Sequence, residues 1–125
     1  MTFHNLLRLS TFAVLCLASS AAVAQTSSTS YQGDPDVYKV IYEDQNFRVI
    51  AANWKKGLRD KVDSHPVPSV YYGITDCIIR LYSEDGKIND ITTKAGTAGT
   101  TPVTPSHSAE NVGPADCQLV FVERK

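Results

Sequence analysis

After Ala24 the apolar residues of this chain come in short runs, and none keeps a 3.6-residue period for the length of a helix. The runs are rich in β-branched and aromatic residues and are separated by turn chemistry, which predicts strands. Tyr38 to Tyr42 is the first, ended by Glu43-Asp44-Gln45-Asn46, and Phe47 to Trp54 follows, ended at Lys55-Lys56-Gly57. Val62 to His65 is stopped by Pro66 and Pro68, because proline cannot donate to a ladder. Ser69 to Ile74 and Cys77 to Tyr82 flank a corner at Thr75-Asp76. Glu84-Asp85-Gly86-Lys87 is a hairpin turn with glycine available for positive φ. Ile88 to Lys94, one broken strand through Pro102 to Asn111, and Cys117 to Glu123 complete the set.

Eight or nine strands at intervals of roughly 8–12 residues argue an all-β sandwich or barrel. No connection is long enough to hold a crossover helix, which excludes a parallel α/β arrangement. Closing the sheet would also remove exposed edges.

The first 24 residues are set apart from this fold. Met1 to Ser10 carries Arg8 and no acid, Thr11 to Val23 is apolar and small, and Ala22-Val23-Ala24 is an A-x-A cleavage signature. That layout is a secretory signal peptide, too short and too small-residue-rich for a transmembrane helix. A lipid anchor at Cys16 is disfavoured by Leu15, where a small residue is expected. Cleavage after Ala24 would place the protein in the periplasm or outside the cell, with no membrane attachment. Residues 25–37, opening on the polar Gln25 to Ser30, read as a flexible lead-in to a domain over residues 38–125.

Removing Arg8 from the 12 bases leaves 11 against 13 acids, a net charge of −2. A chain so nearly neutral has no electrostatic footprint for nucleic acid or an anionic membrane. Lys55, Lys56, Arg59 and Lys61 are interrupted by Asp60, with Asp63 close behind, and read as a solvated loop. Cys16 leaves with the signal, so Cys77 and Cys117 remain as an even pair bound for an oxidising compartment. As a disulfide they would contribute about 4 kcal/mol by loop-closure entropy; as thiols they would be small buried hydrophobes.

Candidate chemistry centres on two stretches. In Val62-Asp63-Ser64-His65, strand periodicity puts Asp63 and His65 on one face. Joined by His107 from another strand, they would supply one carboxylate and two imidazoles, a set suited to Zn, Mn, Fe or Ni. Ser64-His65 and Ser106-His107 are neighbours on opposite faces of their strands, so neither is a nucleophile–base pair, and no G-x-S-x-G elbow occurs.

These stretches resemble the two motifs of the cupins, single-domain jelly-roll barrels. The second motif is glycine, five residues, proline, one residue, glycine, two residues, histidine, three residues, asparagine. Gly96, Pro102, Thr104, His107 and Asn111 stand at those places, with only the middle glycine changed. The first motif is glycine, five residues, H-x-H, three or four residues, glutamate. Gly57 leads to Asp63-Ser64-His65, with Asp63 at the first-histidine position and Ser69 or Val70 where the glutamate belongs.

The resemblance spans residues 38–125 and implies a jelly-roll barrel with a central pocket, in which His65 and His107 are metal ligands and Asp63 substitutes for a third. Glu110 cannot replace the lost glutamate, because His107, Ala109 and Asn111 share a face from which it points away. The resemblance also implies that the last strand lies antiparallel to Ser69–Ile74, which brings Cys117 near Cys77 and favours the disulfide. Two functions follow as expectations: an exported protein binding a small molecule in the pocket, with or without a divalent metal, or a metal-dependent enzyme of oxygenase or isomerase type. A homodimer is a further implication of the family. Trp54, Tyr71, Tyr72 and Phe121 are expected to pack the barrel, and Arg80 to sit at the surface between Ile79 and Leu81.

Overall fold

The computed structural model describes residues 27–125, so the leader expected over residues 1–24 lies outside the described residues. Nine strands are present: β1 (Tyr38–Glu43), β2 (Phe47–Trp54), β3 (Asp63–His65), β4 (Ser69–Gly73), β5 (Cys77–Ser83), β6 (Ile88–Thr93), β7 (Ala98–Thr101), β8 (Thr104–Asn111) and β9 (Cys117–Arg124). They form a five-stranded sheet in the order β1-β2-β9-β4-β7, facing a four-stranded sheet in the order β3-β8-β5-β6. All pairings within the sheets are antiparallel. This is the expected all-β jelly roll. β9 pairs with β4 along Ser69–Gly73, as the resemblance required.

Alternation decides which side chains meet between the sheets. Along β9, Cys117, Leu119, Phe121 and Glu123 are buried while their neighbours are part-exposed. β2 contributes Ile50, Ala52 and Trp54 by the same parity. Ile79 of β5 is buried, Leu81 packs against the core, and Arg80 turns outward to a bidentate pair with Asp90 at 2.7 and 2.8 Å. Trp54 and Phe121 are core residues with Tyr71 packed against them, but Tyr72 is not. It is half exposed, because it follows Tyr71 on a strand and faces the other way.

The strand expected to run broken through Pro102 is two strands, and they belong to different sheets. Pro102 and Val103 carry the chain across, since proline has no N–H with which to extend the β7 ladder. Ahead of β1, where a flexible lead-in was expected, the chain is packed from Ser30 onward. Ser30–Gly33 forms one helical turn, and Ser30, Asp34 and Val37 are buried. Tyr31 lies under the Arg48 guanidinium at 4.5 Å. Ser28 and Thr29 run beside β3, with the Ser64 N–H donating to the Ser28 carbonyl at 2.9 Å. Polar composition concealed this packing, because it is held by backbone hydrogen bonds and by single residues such as Val37.

Cys77 and Cys117 form a disulfide, with their Cα atoms 5.1 Å apart and a sequence separation of 40. Because β5 and β9 lie in opposite sheets, the bond ties the two layers together at one end of the barrel. Replacing both cysteines by alanine is expected to lower stability by about 2–5 kcal/mol. Denaturant unfolding measures this, and no free thiol should titrate in the unfolded, unreduced protein once residues 1–24, which carry Cys16, are removed.

Candidate metal centre and pocket

Asp63 and His107 are direct cross-strand partners in the β3–β8 ladder. Two residues further along β3, His65 pairs with Thr104, three residues back along β8, so β8 carries an extra residue around Pro105 and Ser106. The bulge has a chemical consequence. The Pro105 carbonyl lies 2.8 Å from His107 Nδ1, and a carbonyl can only accept, so Nδ1 carries the proton. In the neutral imidazole this tautomer leaves the lone pair on His107 Nε2. That orienting hydrogen bond to the far ring nitrogen is the arrangement metal-ligating histidines use.

The three side chains expected from the sequence converge. Asp63 Oδ1 is 3.9 Å from His65 Nε2 and 3.7 Å from His107 Nε2, and one potential ligand atom from each residue lies within 4.8 Å of the others. The imidazoles are 5.1 Å apart between centroids, and the His65 ring packs against Phe121 and Tyr38. Asp63 is fully buried, and neither of its carboxylate oxygens has a hydrogen-bond partner among the described residues. The turn at Ser30–Gly33 closes over it, with Gly33 against its Cβ.

Sequence reasoning missed the layer behind this triad. Asp60, buried, accepts hydrogen bonds from Tyr38 at 2.7 Å, from Trp54 Nε1 at 3.0 Å and from the Ala109 N–H at 2.6 Å. Asp34 accepts from the Lys61 N–H at 3.0 Å. An acid inside a run of bases reads as surface charge; only the closure of the loop over β8 turns Asp60 inward. The contrast matters: Asp60 is fully employed and Asp63 is not.

Gly57 and Asn111 knit the two sequence stretches together. The Gly57 N–H donates to the Asn111 carbonyl at 3.0 Å, and the Asn111 side chain donates to the Trp54 and Ala115 carbonyls. Glu110 points away, as expected, and accepts from the Tyr82 hydroxyl. Ser69, at the place of the lost glutamate, is bonded to Thr101 and takes no part in the triad.

Beside the histidines, between the sheets, is a cavity of about 90 Å³. Aromatic and aliphatic side chains, among them Tyr38, Trp54, Tyr71, Leu81 and Phe121, form most of its wall; Thr93, Thr101 and Thr104 also line it, and His65 and His107 bring imidazoles to it.

Burial pushes the Asp63 carboxyl up to about 8, with the Asp60 and Asp34 carboxylates adding to the rise. Burial, and then His107, push His65 down to about 4. In the metal-free protein these act in opposite directions. Asp63, at 3.8 when unfolded, contributes stability that is full below that pH and is lost as pH rises towards 8. His65, at 6.5 when unfolded, costs stability as pH falls from there towards 4. The two offset each other at acid pH, and above pH 6.5 Asp63 acts alone. Thermal unfolding of the metal-free protein should therefore shift down between pH 6.5 and 8. Asp63→Asn should remove that slope and raise the midpoint at pH 8 by roughly 4–8 °C, about 1 kcal/mol.

No family model matches the chain, and no curated protein matches it. Solved structures do. A cupin domain from Bordetella pertussis Tohama I superposes with a TM-score of 0.65 at 18% identity, covering 71% of this chain and 92% of that one. A conserved protein with a double-stranded β-helix domain from Klebsiella pneumoniae gives 0.55 at 20% identity, covering 70% and 75%. A cupin family protein with a double-stranded β-helix fold from Methanocaldococcus jannaschii gives 0.56 at 12% identity, covering 70% and 78%. At these identities the likeness is one of fold, and the chain has the cupin jelly-roll, or double-stranded β-helix, fold.

Proposed function

We propose that this is an exported pocket protein that binds a small molecule at a divalent metal held by Asp63, His65 and His107. The observation that carries the reading is the Asp63 carboxylate, fully buried with both oxygens unpartnered. Leaving buried polar atoms unmade costs about 1–3 kcal/mol, more for a charge. Here Oδ1 stands 3.7 Å from His107 Nε2 and 3.9 Å from His65 Nε2, too far to hydrogen-bond. A cation between the three would satisfy all of them at once.

The fit is close. Ligand bonds of about 2.0–2.2 Å put neighbouring donors roughly 3–3.5 Å apart, so Asp63 Oδ1 needs to close by a few tenths of an ångström on each imidazole, and the three donors, which lie within 4.8 Å of one another, draw together as a set. Two imidazoles and one carboxylate suit Zn, Fe, Mn or Ni, and do not choose among them. Three protein ligands leave positions open, and an ion held there would supply Lewis acidity to a donor atom entering from the cavity. The residues of the chain do the rest: Pro105 sets the His107 tautomer, and Tyr38, Phe121 and Trp54 keep the site dry.

Export is supported by the leader pattern and by the disulfide, which fits a location outside the reducing cytosol. Among the described residues no helix is long and apolar enough to cross a membrane. Pairing of two copies is part of the same proposal and rests on the resemblance of the two sequence stretches to the cupin motifs alone.

Metal analysis of the purified protein after exposure to zinc or cobalt should return one equivalent. His65→Ala and His107→Ala should each weaken retention by more than the ~10–100-fold that outer-shell partners carry. A wild type that stays empty, or variants that load as it does, would overturn the reading.

A further inference from the structure

Tyr71 and Gly99 are register partners across β4 and β7, and the contact between them is tighter than any side chain at 99 would permit. A Cβ on Gly99 would stand 2.6 Å from the Tyr71 hydroxyl, 2.7 Å from Cζ and 2.8 Å from Cε1. The left-handed backbone region is occupied only by Gly57, Gly86 and Gly96 among the described residues. Glycine is needed at 99 for room and not for backbone freedom. The Tyr71 ring is thus seated on bare backbone, and that seat fixes how far it reaches into the cavity it lines.

The cavity is small and carries no fixed charge. None of its lining residues is Lys, Arg, Asp or Glu. A charged group buried against this wall would find no counter-ion, and an unpaired buried charge is strongly disfavoured. Its volume of about 90 Å³ is less than the ~150 Å³ of an apolar cavity that accepts benzene.

We propose that this cavity selects a ligand with a single donor group, which meets the His65–His107 edge, and a short uncharged apolar remainder. Tyr71, seated on Gly99, is the size gate. The inference rests on the metal reading for the donor end alone; the wall and the gate are properties of the cavity. It excludes phosphorylated compounds, dicarboxylates and zwitterionic amino acids.

Pyrazoles substituted at the carbon opposite the nitrogens test each part, since they are uncharged donors and that position cannot reach the metal. Binding is measured at pH 8 by calorimetry on metal-free and cobalt-loaded protein, with the cobalt absorption spectrum reporting the metal. The expected order is 4-methylpyrazole tightest, with pyrazole-4-carboxylate and 4-phenylpyrazole each weaker by about 10-fold or more. Tyr71→Ala should restore 4-phenylpyrazole by a similar factor and leave the carboxylate excluded. Tyr71→Val, better suited to a strand, serves if the alanine variant fails to fold. A merely structural tyrosine would change stability without changing this selectivity.

If cobalt is not retained, the metal reading fails, and the same order is then required of the metal-free protein. The inference itself is overturned if the carboxylate binds as tightly as the methyl compound. It is likewise overturned if the wild type accepts the phenyl compound equally, or if neither form binds any pyrazole.

Discussion

The pairing of β3 with β8 is the constraint on which the site depends. It is short, three residues against eight, and it sets Asp63 opposite His107. A one-residue slip of β3 would reverse the faces of Asp63, Ser64 and His65 and dismantle the triad. Several contacts hold the register. The 28–29 segment runs along the free side of β3, and the Gly57–Asn111 hydrogen bond fixes the loop that delivers it. Asp60 binds the Ala109 N–H from the same loop, which runs along the β3 side of β8 beyond the end of β3. Each contact lies outside the triad, and each acts on the position of Asp63.

A tension between stability and chemistry follows from this arrangement. Tyr38, Trp54 and Ala109 direct every available donor to Asp60, three residues from Asp63. Asp63 receives none, although it is the more deeply buried of the two. Were Asp63 only a structural acid, the donors would serve it equally well, or a neutral residue would stand in its place. A buried Asp63 carboxyl without a hydrogen-bond partner between two imidazoles costs folding free energy, and the barrel tolerates it because the disulfide and the core of Ile50, Trp54, Ile79 and Phe121 supply stability elsewhere.

Much of this was legible before the fold was seen. Strand periodicity located the strands other than β7, because the inner and outer faces of an antiparallel sheet alternate, and it put Asp63 with His65 and turned Glu110 away. The crossing at Pro102 was blurred, since a proline inside a β-rich run marks a break without saying which sheet the next strand joins. The packed residues 30–37 were hidden because their order comes from backbone bonds and scattered burial. Asp60 was hidden by its neighbours in sequence, which are bases facing solvent. Gly99 looked like one more small residue in a Gly- and Thr-rich stretch, and its role exists only opposite Tyr71.

The stretch that carries His107 therefore has two separate tasks. Its later part, from Thr104 to Asn111, builds one wall of the metal centre: the bulge at Pro105 aims the imidazole, and Asn111 anchors the loop that brings Asp63. Its earlier part, the strand from Ala98 to Thr101, belongs to the opposite sheet and shapes the cavity by giving Tyr71 a place to lie. Pro102 and Val103 join the two. A change in β7 can thus alter which molecules fit without touching a ligand atom, while a change at the bulge alters the donor set and leaves the far wall as it was. The donor atoms all come from one sheet while the seat of Tyr71 belongs to the other, so donor geometry can vary independently of that part of the wall.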